Sequence, residues 1–248
     1  MSSLARFWPR RVGPAEPLAA ALLDHHRSAR PRRVHATRAD GVLFEIETEE
    51  YFTLEGTLAE LDRAALERCR GRVLDVGAGA GRHALALQGG LEVVAIDVSP
   101  LCTALCRERG VRDARTLDVM RLEADASLGR FDTILFGMQT IGVAGGTLAL
   151  ERLLGRLRHR LEPGGGILAD SSALREPWEG DATDRSASRG EIVLSTRYRG
   201  WRGEPFPWLY LAEEDLCEVA GRAGFGMETL ARAPDGEFLA LLQPRSEG

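Results

Sequence analysis

The stretch Val73–His83 reads VLDVGAGAGRH, and the fold turns on how it is read. Three apolar residues, Val73, Leu74 and Val76, run straight into Gly77, Gly79 and Gly81, and a helical pattern follows at once. Glycine has no Cβ, so such a turn reaches unusual backbone angles and lets a ligand lie against the main chain. The unpaired N–H groups at the start of the following helix then face that ligand. A tight strand-to-helix turn that binds nothing has the same local form, so the neighbouring sequence must decide.

Outward from this stretch the chain alternates regularly. Ahead of it, Leu58, Leu61, Ala65, Leu66 and Cys69 recur at helical spacing over Thr57–Arg70, and Gly71 ends that helix. After it come helix Arg82–Gln88, strand Val93–Asp97, and a helix Leu101–Arg109 with Ser99 as N-cap and Pro100 in its first turn. Strand Ala114–Leu117 follows, closed by Asp118. Phe131–Phe136 (FDTILF) is apolar almost throughout, as a strand buried on both faces must be. Helix Thr147–Leu161 stops before Pro163, and Gly164–Gly166 leads into strand Ile167–Asp170. Repeated βα units of this length predict a parallel sheet with helices on both faces.

The ends of the chain depart from that rhythm. Residues 1–35 hold four prolines and one amphipathic helix near Pro17–Arg27, and Val42–Ile46 reads as a short strand. Ser171–Gly190 is polar and too long for a connector. Glu191–Tyr198 and Phe206–Leu211 then read as two strands joined through Gly200–Gly203, a β-hairpin cap. Helix Glu213–Ala223 and a closing hairpin, Met227–Arg232 with Phe238–Leu242, complete the chain. The division expected is an N-terminal extension over 1–56, helical and lid-like, and a main domain over 57–248 with its cap insertion at about 171–212.

Three ligand-facing positions fall at consecutive strand ends, where an open α/β sheet binds. The first is the glycine turn. Asp97 ends the next strand, and an ionised carboxylate there accepts two hydrogen bonds from a ribose diol. Asp118 ends the third, within reach of an adenine amino group. A dinucleotide fingerprint, GxGxxG, needs glycine where this chain has Arg82, which disfavours that ligand.

Taken in order, VLDVGAGAGRHAL, VVAIDVSP, TLDV, FDTILFG and LEPGGGILADS resemble the class I S-adenosylmethionine-dependent methyltransferases, over about Gly71–Asp170. The resemblance implies a Rossmann-like, seven-stranded, mostly parallel sheet with a reversed terminal strand, and S-adenosyl-L-methionine as cofactor. It places Gly77, Ala78 and Gly79 under the methionine part and Asp75 near its amino group. Asp97 then meets the ribose, with Val98 on the adenine face, and Asp118 and Val119 on the adenine edge. Phe136 and Gly137 face the methionine end, and Tyr51 is similar to the aromatic that closes over the cofactor in small-molecule members.

Methyl transfer asks for alignment and desolvation more than for acid–base chemistry. His83, Asp170, Glu176 and Tyr198 are candidate bases, and none is singled out by the sequence. For the acceptor, the cap gathers six of the fifteen aromatic residues: Trp178, Tyr198, Trp201, Phe206, Trp208 and Tyr210. Such side chains surround an apolar acceptor or form the cap's own core. Gln139 and Thr140 stand just past the fourth strand. The acceptor-site candidates are Gln139, Thr140, Trp178, Tyr198 and Trp208. The chain has GMQT where amino-methylating nucleic-acid enzymes carry D/N-P-P-Y/F, which points away from bases.

Composition narrows the classes further. The 248 residues carry a net charge of −5, against the basic surplus of a general DNA binder. Within residues 1–40, however, eight arginines face three carboxylates, a basic arm. The chain has no lysine at all, so Schiff-base lysine chemistry and a Walker A phosphate site are excluded. Four cysteines form no CxxC pair and no metal site is expected; Cys102 and Cys106 read as buried packing. No stretch approaches the length of a membrane span, and a soluble, cytoplasmic protein is expected. The function expected is methyl transfer to a small molecule, plausibly a secondary metabolite. The alternatives are a cofactor-binding regulatory subunit without turnover and an NAD-dependent dehydrogenase.

Overall fold

The computed structural model describes residues 10–54, 59–124, 126–174 and 190–245. In chain order the first elements are β1 (Arg10–Val12), α1 (Glu16–Ser28), β2 (Arg33–Arg38) and β3 (Leu43–Glu47). Next come α2 (Ala59–Arg68), β4 (Arg72–Val76), α3 (Arg82–Leu87), β5 (Glu92–Asp97), α4 (Pro100–Glu108), β6 (Ala114–Thr116), β7 (Phe131–Phe136), α5 (Thr147–Arg158) and β8 (Leu161–Ser171). The chain ends with β9 (Glu191–Tyr198), β10 (Trp201–Gly203), β11 (Phe206–Leu209), α6 (Glu213–Arg222), β12 (Phe225–Arg232) and β13 (Phe238–Pro244).

Seven strands form the main sheet in the order β12-β13-β8-β7-β4-β5-β6. All neighbours from β8 to β6 are parallel, and β13 alone runs against them, as the resemblance implied. The glycine-turn strand, β4, is central, with β5 on one side and β7 on the other. That reversal in the order of the strands, which run on from β4 to β5 on one side and to β7 on the other, is the switch point at which such sheets open a ligand crevice.

Alternate side chains of each strand feed two cores. Leu74 and Ile134 pack with Leu150, Leu153 and Leu157 of α5 and Leu216 and Val219 of α6. Val73 and Leu135 pack on the other face with Leu61 and Ala65 of α2 and Ala84 of α3. This is the period-two division of a strand with helices above and below it. The strand Ile167–Asp170 proves longer than its apolar run. β8 starts at Leu161, and Pro163 with its glycines is absorbed in a bulge where the β7 pairing jumps from Leu161 to Gly166.

The extension and the cap share one further sheet, which the sequence does not disclose. Its order is β1-β10-β9-β2-β3, with β11 on β9. The expected helix of the extension is present as α1 and the expected short strand as β3, but two further strands, β1 and β2, pair with β10 and β9 of the cap, β3 lying outside β2. The two expected cap strands do pair, with Phe206 opposite Leu194 and Leu209 opposite Glu191. β10 occupies the stretch expected to be their turn. α1 lies against β9 and β10 on one side and α4 on the other. Ala19 and Leu22 are fully buried there with Cys102 and Leu105, which seats the second sheet over the glycine-turn end of the first. No helix among the described residues is long and apolar enough to cross a membrane.

Candidate active site

The glycine turn has the backbone its composition demands. Gly77 and Gly79 sit at φ +69° and +55°, where side chains other than glycine are strained. A Cβ on Gly77 would also stand 2.4 Å from Thr140 Cγ2, so Thr140 lies against the turn. Gly79 is covered from another direction. Tyr51 Cδ1 is 3.3 Å from where its Cβ would be, which brings the Tyr51 ring onto the turn.

Asp97 holds the turn in shape as well as facing the crevice. Its Oδ2 accepts from Gly79 N–H at 2.9 Å and its Oδ1 from Ser99 N–H at 2.8 Å. Burial pushes its carboxyl above the ordinary value, against the pull of those two bonds. Ser99 caps α4 as expected, accepting from Leu101 and Cys102. Val98 is 56% exposed, an apolar side chain left open at the tip of β5. Asp118 accepts from Met120 N–H at 2.9 Å and remains partly exposed. Val119 and Phe136 have side chains in the core, so only their main chain is free to face a ligand.

Asp75 is 1% exposed and its Oδ2 has no hydrogen-bond partner among the described residues. Burial raises its carboxyl, opposed by His83, whose Nδ1 is 4.0 Å away. The His83 Nε2 is hydrogen-bonded to Asp62 Oδ1 at 2.7 Å. Arg82 also bonds Asp62, and its Nη1 donates to the carbonyls of Glu50 and of Thr53, the latter at 2.8 Å. Burial alone would raise the Asp62 carboxyl, but His83 and Arg82 together hold it below the usual range. Gly137 is needed here for room: a Cβ on it would lie 2.3 Å from His83 Cε1. A void of about 10 Å³ among Asp62, His83, Gly137 and Asp170 has space for no more than one water.

Past β7 the backbone is strained. Met138 and Gln139 both lie at positive φ, +56° and +57°, a cost met at functional turns. Gln139 is then fixed by its N–H to Asp170 Oδ1 at 3.0 Å and its Nε2 to Glu237 Oε1 at 2.9 Å. Ser172 donates to its Oε1 at 3.3 Å. Burial lifts the Asp170 carboxyl to about 7, the Gln139 N–H pulling the other way. Thr140 Oγ1 donates to Gly137 O at 2.5 Å.

In the cap, Trp208 packs on this segment. Its ring nitrogen is 2.6 Å from where a Cβ on Gly142 would be, and it meets Phe206 edge-on with centroids 6.1 Å apart. Burial pushes the Tyr51 hydroxyl well above its ordinary value. Tyr198 has a different place. It packs with Ala21 and Val34, its hydroxyl bonded to Asp24 of α1, so it belongs to the seam between helix and sheet. Trp178 and Glu176 lie outside the described residues.

The sequence reading missed Asp62, Glu237 and Ser172. Asp62 had a signal: it falls within the apolar stripe Leu61–Ala65 of α2, where a carboxylate is out of place. Glu237 and Ser172 had none, since only the pairing of β13 with β8 brings them to Gln139.

The methyltransferase-domain family profile matches residues 73–165. A solved S-adenosylmethionine-dependent methyltransferase from Bacteroides fragilis, in complex with S-adenosyl-L-homocysteine, is 35% identical. The match covers 95% of this chain and 97% of that one, with a TM-score of 0.83. The chain belongs to the S-adenosylmethionine-dependent methyltransferases. The fold alone is shared with the methyltransferase CcbJ of Streptomyces caelestis, 19% identical over 79% of this chain and 91% of that one, at a TM-score of 0.58. It is also shared with the sugar N-methyltransferase KedS8 of Streptoalloteichus, 17% identical over 78% and 89%, at 0.50. No curated protein sequence matches the chain. The dehydrogenase alternative is set aside, and S-adenosylmethionine is the cofactor of this methyltransferase. The residues present fit it: a bare glycine cradle, a buried carboxylate oxygen in want of a donor, and an exposed valine beside a diol-sized carboxylate.

Proposed function

We propose that the methyltransferase acts on a small molecule, a secondary metabolite, and works in the cytoplasm, where its four free cysteines stay reduced. When bound, S-adenosylmethionine supplies a methyl group on a positively charged sulfur, already primed for transfer. What remains for the protein is to hold, align and exclude water.

In this reading Asp75 takes the cofactor's ammonium group and Gly77–Gly79 its methionine chain. Asp97 takes the ribose diol, Val98 covers the adenine face, and Asp118 with the Val119 main chain meets the adenine edge. Gly137 lines the methionine end. The acceptor is held beyond β7 by Gln139, Thr140 and Trp208. Tyr198 is left out because α1 already engages it.

The observation that carries the acceptor reading is the second sheet. It sets Trp208, met edge-on by Phe206, against Gly142, five residues past Gly137 and three past the strained Gln139. A small, largely desolvated acceptor fits there better than a chain needing an open groove. The test is to incubate the enzyme with methyl-labelled S-adenosylmethionine and the small-molecule, protein and RNA fractions of one cell extract. Label is expected in the small-molecule fraction; label confined to protein or RNA overturns the proposal. Trp208→Ala should cut that labelling at least about tenfold, as loss of one buried aromatic contact does, with S-adenosylhomocysteine affinity unchanged.

A further inference from the structure

We propose that Arg82 is a positioning residue that latches the Tyr51 turn onto the glycine turn, and so governs how long the cofactor stays bound. Tyr51 ends a single turn of 3-10 helix, Glu49–Tyr51, none of whose residues is fully buried, and only its ring packs inward, against the cluster of Ala19, Leu22 and Ala80. The turn is held from outside. Arg82 donates to the carbonyls of Glu50 and Thr53, which bracket Tyr51 on either side. Its other arm is fixed by Asp62 of α2, and Asp62 by His83. One planar guanidinium thus joins three pieces of chain: the turn, α2, and the first residue of α3 directly after the glycines.

The position explains the residue. A glycine there, as in dinucleotide-binding turns, would give close helix–strand packing and nothing to reach the chain above. Arg82 is 7% exposed, and its rigid fork serves two carbonyls and a carboxylate at once. A lysine ammonium keeps the charge but has no planar fork to span all three. A second arginine braces the same turn from the far side, since the Arg109 guanidinium lies 4.7 Å over the Phe52 ring. With Tyr51 resting on Gly79, the latched turn closes the edge of the cradle that the methionine chain would occupy.

The test measures dissociation of S-adenosylhomocysteine from the full chain by stopped flow, for Arg82→Lys in the native and in the Tyr51→Ala background. In the native background dissociation should quicken about tenfold, the size of one lost charge-assisted hydrogen bond, with association little changed. In the Tyr51→Ala background the same substitution should add less than about twofold, because coupled residues are non-additive. Equal acceleration in both backgrounds, or none in either, overturns the proposal. A role in fold stability alone would lower Tm in both backgrounds without that coupling. Should Arg82→Lys fail to fold, Asp62→Asn frees the same guanidinium and is read by the same two outcomes.

Discussion

At the scale of single residues, Asp97, proposed for the cofactor site, has a structural duty as well. Its place at a strand end suggests that removing it costs cofactor affinity alone. Its bonds to Gly79 and Ser99 show that it also ties the glycine turn to the start of α4. In Asp97→Asn one acceptor oxygen becomes a donor facing a backbone N–H, so one bond is lost and its partner left unmet. S-adenosylhomocysteine affinity should fall at least about tenfold, and Tm by about 3–10 °C for the ~1.5–3 kcal/mol of a charge-assisted bond. Unchanged affinity by calorimetry removes Asp97 from the site. Asp170 carries a pH signature. Its folded carboxyl titrates near 7, above the 3.8 of the open chain, so the folded state holds the extra proton between those values. Stability therefore falls as pH rises from about 4 to 7, and the penalty is complete above 7. Asp170→Asn keeps the acceptor for Gln139 and cannot ionise. Relative to the native enzyme, its Tm should rise from pH 5 to pH 8; a constant difference refutes the raised titration.

At the scale of elements, legibility followed the source of each element's order. The strands and helices from β4 to β7 are stated locally, by periodicity, Ser99–Pro100 capping and glycine stops, and they stand within a residue of expectation, whereas α5 ends three residues before Leu161 and β8 begins six before Ile167. Phe131–Phe136 and Glu191–Tyr198 agree at both ends. β1 and β2 were illegible because their order is tertiary. In RVHATR only Val34 and Ala36 carry an apolar face, and the third inward position is Arg38, buried in an ion pair with Asp40. No local pattern marks such a strand; of its two partners β3 follows at once, but β9, which ties it to the sheet, is more than 150 residues away. The site divides the same way. Gly77, Gly79 and Asp97 were legible as a motif, whereas the Asp62–Arg82–His83 cluster needs α2 docked on the sheet. A long-range element contact also gives the next prediction. Glu191 of β9 caps α5, its Oε1 accepting from Thr147 N–H and Oγ–H, each at 2.8 Å. Glu191→Ala should cost about 1 kcal/mol, as helix caps do, or about 2–4 °C in Tm. An unaltered Tm would show the cap to be replaceable by solvent.

For the molecule as a whole, the second sheet decides whether the N-terminal segment is an accessory or part of the fold. An accessory lid leaves a competent core when removed. Here the segment supplies β1, β2 and β3, half of the six strands of the second sheet, and the helix between that sheet and α4. Starting the chain at Gly56 would strip α1 from Cys102 and Leu105 and bare the face of Tyr198 that packs on Ala21 and Val34. It would also leave β9 with an unpaired edge where β2 had lain, an open template for association. Tyr51 would go with it, and Arg82 and Asp62 would keep a buried charge pair without its carbonyl partners. The truncated chain should therefore aggregate, or run as a loosened species that binds no S-adenosylhomocysteine, even though every residue of VLDVGAGAGRH is intact. A soluble, monodisperse fragment with near-native cofactor affinity by calorimetry would show the opposite: that the seven-stranded sheet stands alone and the two sheets are separable in energy as well as in sequence.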